Sequence, residues 1–132
     1  ATLGAIAVPR YAQATSRYRA DAAARRIAAD LSLARSRART SSRSQTVSFS
    51  PYTNSYQIHW TPGLDRSTEP YVVDLSDPPY HATLIEAELA GDEAIVFDGW
   101  GTPDGDGMIV IRAGNVKKCI VINQETGKVT VQ

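Results

Sequence analysis

Apolar and polar residues follow two different periods along this chain, and the change between them falls near residue 43. From Leu3 to about Arg39, alanine and arginine dominate, and both are strong helix formers. Ala20, Ala24, Ile27, Leu31, Ala34 and Ala38 recur at spacings of four, three, four, three and four. That is one continuous apolar seam on an α-helix. Tyr11, Tyr18, Ala22, Ala29 and Leu33 make a second seam, spaced seven, four, seven and four, almost opposite the first. A helix apolar on two faces has two partners. If the first seam covers the chain's own sheet, the second is left for another molecule. The plainer reading of the second seam is small alanines and scattered tyrosines on a solvated face. The hydroxyls of Thr40-Ser41-Ser42 compete for backbone hydrogen bonds and predict the helix end. Such a helix is about 55 Å long, more than a domain of this size is wide, so part of it is expected to protrude. Pro9 removes one helical bond and clashes with the Ala5 carbonyl, which predicts a kink or local loosening there.

Beyond residue 43 the period shortens to two. Gln45–Ser50 alternates through Val47 and Phe49, and Tyr56, Ile58 and Trp60 alternate likewise after the turn Pro51-Tyr52-Thr53-Asn54. Thr61–Pro70 is expected to be a loop. Tyr71–Leu75 and Ala82–Leu89 have the pattern of strands separated by Asp77-Pro78-Pro79, and Ala94–Phe97 that of a short buried strand. A glycine-rich loop, Asp98–Gly107, leads into a meander of Met108–Arg112, Val116–Asn123 and Lys128–Val131. The expected fold is α+β: a long N-terminal helix packed on antiparallel β-sheet, divided as residues 1–43 and 44–132, with no internal repeat.

Charge sharpens that division. Over the 132 residues the formal net charge is zero, yet residues 1–43 carry nine arginines against two aspartates, a net +7, and residues 44–132 a net −7. The two parts therefore suit different surroundings. The single cysteine, Cys119, excludes an internal disulfide, and its alternating context predicts a buried strand thiol. The start, Ala1-Thr2-Leu3-Gly4-Ala5-Ile6-Ala7-Val8, is nearly all apolar and lacks both the basic segment and the cleavage pattern of a signal peptide. Eight helical residues span only about 12 Å, far short of a bilayer. They are expected to be the end of a longer apolar segment, the alternative being a short apolar helix tucked into the domain's own core.

Gly4-Ala5-Ile6-Ala7-Val8-Pro9-Arg10-Tyr11 resembles the end of the N-terminal segment of type IV pilins and pseudopilins, in which an apolar helix runs into a proline and then an amphipathic helix. Aligned on Pro9, about thirteen residues of that segment precede Ala1, and with the eight present they make about 21, the length a membrane span requires. Ile95-Val96-Phe97-Asp98-Gly99-Trp100-Gly101-Thr102-Pro103, Met108-Ile109-Val110-Ile111, Cys119-Ile120-Val121-Ile122-Asn123 and Gly127-Lys128-Val129 resemble the terminal meander of H-type pseudopilins and FimT-like minor pilins. Residues 45–93 match no family pattern. The resemblance implies a minor subunit of a type II secretion pseudopilus, held by one pass in the bacterial inner membrane with its globular domain in the periplasm. Its partners would be other pseudopilins or pilins. It also implies that Leu3, Ile6, Val8, Pro9, Tyr11, Tyr18, Ala22, Ala29 and Leu33 face neighbouring helices, while Ala20, Ala24, Ile27, Leu31, Ala34 and Ala38 face the sheet.

Other chemistries have thinner support. His59 and His81 are the only histidines, His59 on the outward side of its strand, and neither has a catalytic partner nearby in sequence. No phosphate loop and no cysteine–histidine ligand spacing occurs, so neither an enzyme nor a cofactor is implied. Asp98, Asp104 and Asp106 supply oxygen ligands of the kind calcium prefers, but without EF-hand spacing, and such residues are common in turns. FimT-like minor pilins bind DNA through a basic Gly-Arg-x-Arg motif. The matching Gly127-Lys128-Val129-Thr130 lacks both arginines, leaving Arg112, Lys117, Lys118 and Lys128 as DNA-binding candidates. The run Arg35, Arg37, Arg39 and Arg43 could contact phosphates, though such a run is more often a solvated face, or could lie against anionic headgroups.

Overall fold

The computed structural model describes residues 2–59, 71–89 and 91–132, with side chains from residue 14 onward. Helix α1 runs Thr2–Ser41, 40 residues and about 60 Å, unbroken through Pro9. It stops on a left-handed residue: Ser42 has φ 56°, and the Arg43 amide donates to the Ala38 carbonyl at 3.2 Å. This is the six-to-one bond of a Schellman cap. The hydroxyls of Thr40 and Ser41 donate to the carbonyls of Ser36 and Arg37 at 2.8 and 2.6 Å, so the last turn bonds its own side chains as well as its backbone.

Eight strands follow: β1 Gln45–Ser50, β2 Ser55–His59, β3 Tyr71–Asp74, β4 Thr83–Leu89, β5 Ala94–Phe97, β6 Gly107–Ala113, β7 Val116–Ile122 and β8 Val129–Val131. They form two four-stranded antiparallel sheets, ordered β3-β2-β1-β5 and β4-β6-β7-β8. In the first sheet Val47 lies between Ile58 and Ile95, and Phe49 opposes Tyr56. In the second, Ile109 opposes Ile120 and Gly107 opposes Ile122. The period-2 alternation places all of these on the inner faces, where α1 contacts both β1 and β5 of one sheet and β6, β7 and β8 of the other. One buried cluster joins Ile27 and Leu31 of the helix to Val47, Ile58, Phe97, Ile111 and Ile120. Each such aliphatic side chain stabilises the fold by about 2 kcal/mol when fully buried.

Trp60 and the loop expected over 61–70 lie outside the described residues. Strand β4 begins at Thr83, because the Ala82 amide is already bonded to the Leu75 carbonyl at 2.8 Å, and its register shifts between Leu84 and Glu86. The Cys119 expectation is corrected: the thiol is free and only half-buried. The residues flanking it in β7, Lys118 and Ile120, face the core side, so Cys119 shares the outer face with Lys117 and Val121.

Candidate functional site

The helix is the element on which a subunit interface would be built, and its two faces differ sharply. Ala20, Ala24, Ile27, Leu31, Ala34 and Ala38 are fully buried, with Ala23 beside them. On the other face Tyr18 is 66% exposed, Leu33 37% exposed, Ala29 exposed and Ala22 half-buried. The side chains of Leu3, Ile6, Val8, Pro9 and Tyr11 lie outside the described residues; their backbone continues the same helix.

Beside the apolar core, a polar cluster that the sequence patterns did not single out ties that helix to the first sheet. Asp30 is 5% exposed within the buried seam. Its Oδ2 accepts from the Tyr56 hydroxyl at 2.5 Å and from Nε of Arg26, one turn away, at 3.0 Å. Its Oδ1 accepts from the Tyr71 hydroxyl at 3.3 Å. Arg26 also donates to the Tyr71 hydroxyl and, at 3.5 Å, to that of Tyr80, and stacks 5.7 Å from the Tyr71 ring centroid. The Asp30–Arg26 pair thus ties α1 to β2 and β3 through the carboxylate and to the loop after β3 through the guanidinium. Burial followed by the adjacent Asp30 charge pushes the Tyr56 phenol well above its ordinary value of 10. Burial alone would lower the Arg26 value, but the hydrogen bond and charge of Asp30 outweigh it and the net direction is upward. The available sequence signal is spacing: Asp30 stands three residues after Ile27 and four before Ala34, on the apolar seam itself.

The other candidates are scattered. Arg112 and Lys117 are exposed and directly opposite one another on β6 and β7. Lys118 is on the opposite face of β7, and Lys128 precedes β8. The four DNA-binding candidates therefore do not form one patch. Among the helix arginines, Arg35 is committed to structure: its Nε donates to the Gly101 carbonyl at 3.1 Å and its terminal nitrogen to the Thr126 carbonyl at 3.2 Å. Asp98 Oδ1 accepts the Trp100 and Thr102 amides at 2.9 and 3.0 Å, Asp104 Oδ1 the Val96 amide at 3.1 Å, and Asp106 Oδ1 the Gln124 amide at 2.7 Å. Each carboxylate organises a different stretch of backbone. Among the described residues no three His, Cys, Asp or Glu side chains converge to hold a metal ion.

His59 Nε2 lies 3.0 Å from the Ser48 hydroxyl and 3.2 Å from the Gln57 amide on an exposed strand face, and among the described residues no carboxylate bonds to it. His81 is exposed after β3. Neither arrangement supplies a base oriented by a third group. Among the described residues, no helix is long and apolar enough to cross a membrane.

The fold is similar to that of the type IV minor pilin FimU of Pseudomonas aeruginosa strain PAO1 in two crystal forms. One matches at TM-score 0.65 and 16% identity, covering 88% of this chain and 90% of FimU. The other matches at TM-score 0.62 and 17% identity, covering 85% and 91%. No curated protein sequence matches the chain. The family described as type II transport protein GspH matches residues 23–127, from the middle of α1 to the turn before β8. That span takes in most of the helix seam and all but the last strand, and the chain belongs to the GspH family.

Proposed function

We propose that this protein is a minor pseudopilin of a type II secretion pseudopilus, incorporated through the outer face of α1. Membership of the GspH family and the minor-pilin fold support a minor pseudopilin or pilin subunit rather than an enzyme. The single observation that carries the interface is the asymmetry of α1. One apolar seam is sealed against both sheets, while Tyr18, Ala29 and Leu33 of the opposite seam stay in water. Exposed Leu and Tyr aligned on one helix face are the anchors of helix-to-helix packing. Leu3, Ile6, Val8, Pro9, Tyr11 and Ala22 extend the proposed contact along the same helix. The β-domain is proposed to sit in the periplasm, with the inner membrane holding the subunit before assembly.

The test is the double substitution Tyr18→Asp and Leu33→Asp in cells that make the pseudopilus. Incorporation into sheared filaments and secretion should both be lost, with the melting temperature of the isolated chain unchanged. Normal incorporation would sink the assignment of this face.

The competing reading is a DNA-handling minor pilin. Its support is the opposed pair Arg112 and Lys117, which form no ion pair among the described residues. Like charges facing across a sheet repel, and a phosphate would relieve that. Salt-sensitive retention of duplex DNA, lost in Arg112→Ala/Lys117→Ala, would favour it over secretion. No retention at low salt would remove it.

A further inference from the structure

Trp100 is the residue the proposed helix interface leaves unused. It is 85% exposed, and single exposed apolar residues are ordinary. What sets this one apart is the loop beneath it. Asp98 closes that loop four times: its side chain accepts the Trp100 and Thr102 amides, its carbonyl accepts the Gly101 amide at 2.8 Å, and its own amide donates to the Thr102 carbonyl at 2.9 Å. The loop is also seated on the end of the helix. A Cβ at Gly99 would lie 2.9 Å from the backbone of Ser42, and one at Gly101, which has φ +83°, would lie 2.4 Å from Cγ of Arg39. Only glycine permits both approaches. Trp100 is therefore held out between two glycines that are pressed onto α1.

The ground beside it is cationic and hydroxylated. The Arg39 stem crosses Gly101, and Ser32, Arg35, Ser36, Arg39 and Thr40 line a groove of about 360 Å³. Arg35 is occupied by the Gly101 and Thr126 carbonyls. Arg39 is exposed and makes no ion pair among the described residues. Tryptophan and arginine are enriched among the anchors of protein interfaces, and here an exposed indole on a hydrogen-bonded loop neighbours the glycine packed on Arg39, which makes no ion pair among the described residues. A nucleic acid strand would instead call for a row of cations tracking successive phosphates.

We infer that the Trp100 loop and the Arg39 groove form a docking site for an acidic segment of a partner protein. An apolar side chain of the segment packs on the indole, and its carboxylates take the Arg39 guanidinium and the Ser32 and Ser36 hydroxyls. The site adjoins the outer helix seam, since Ser36 and Thr40 stand seven residues beyond Ala29 and Leu33 on the same face of α1, and it is tested on the free chain, where filament entry plays no part.

The probe is a fluorescein-labelled peptide of alternating Asp, Glu and Leu, titrated with the whole chain and followed by anisotropy. An Asn/Gln/Leu peptide and a single-stranded oligothymidine of equal charge are the comparisons. The acidic peptide should bind saturably and more weakly as salt rises. Affinity should fall about tenfold or more in Trp100→Ala and in Arg39→Gln. Trp100→Phe should retain most of it, and Arg25→Gln, whose guanidinium pairs with Asp21 elsewhere on the helix, should retain all of it. Unchanged melting temperatures show that the variants fold. Equal binding of the neutral peptide, preference for the oligothymidine, wild-type affinity in both Trp100→Ala and Arg39→Gln, or no binding at all would each overturn the inference.

Discussion

Asp30 is a buried carboxylate on which the helix and two strands meet. A carboxylate that is nearly sealed from water costs several kcal/mol unless it is paired, and here it meets Arg26 and two tyrosine hydroxyls. Replacing it removes the shared acceptor and leaves the Tyr56 hydroxyl buried and unmatched. Asp30→Ala is expected to destabilise the chain by about 3 kcal/mol in a urea melt. Tyr56→Phe loses one charge-assisted bond and should cost about 1.5 kcal/mol. A wild-type melt for Asp30→Ala would show that the cluster adds nothing.

The same contact makes stability depend on alkaline pH. The folded Tyr56 phenol titrates above its ordinary value of 10. Its contribution is therefore complete below pH 10, where both states hold the proton. Above pH 10 the unfolded chain releases a proton that the folded chain keeps, so stability falls as pH rises, at up to about 1.4 kcal/mol per pH unit for one group. Tyr56→Phe should flatten that decline between pH 10 and about 11.5. An identical slope in wild type and variant would assign the decline to other tyrosines.

At the scale of elements, the helix end and the β5–β6 loop are fitted to one another. Ser42 occupies a left-handed conformation that costs a residue with a Cβ about 1 kcal/mol. Ser42→Gly is expected to raise stability by about 0.5–1 kcal/mol. Gly99→Ala, one contact away, should do the reverse, because its methyl would meet the Ser42 backbone, which has little room to give. A loss of about 2 kcal/mol is expected there. The opposite signs at touching residues separate backbone strain from steric closeness, and thermal melts of the two variants check both. The strand boundaries at this scale were largely readable from the sequence: β1 and β5 have the expected bounds, and the others shift by a residue or so. Alternation and turn residues are local properties, so a local pattern reports them.

Over the whole molecule, the helix is shared between two sheets, and a substitution's effect depends on which of its faces is touched. Tyr18→Asp and Leu33→Asp alter only solvated positions, so the isolated chain should keep its stability within about 0.5 kcal/mol per site. Ile27→Asp would put a charge into the core common to both sheets and should prevent folding. Denaturation curves of the three variants distinguish a face kept for partners from a face kept for the fold.

The sequence by itself determined the kinds of element, their order and the 3.6-residue seams of α1, because these follow from periodicity, turn chemistry and spacing within a few residues. Only the tertiary structure decided that β5 joins β1 while β4 joins β6, making two sheets. That choice rests on pairings between distant segments, and no local pattern encodes it. It also decided that Arg35 would clamp two turns, that Asp30 would meet tyrosines 26 and 41 residues away, and that the loop carrying Trp100 would pack through Gly101 on Arg39. A side chain's chemistry depends on what folding brings next to it. For these residues the neighbours come from across the chain, whereas the apolar seams of α1 were already drawn by their spacing.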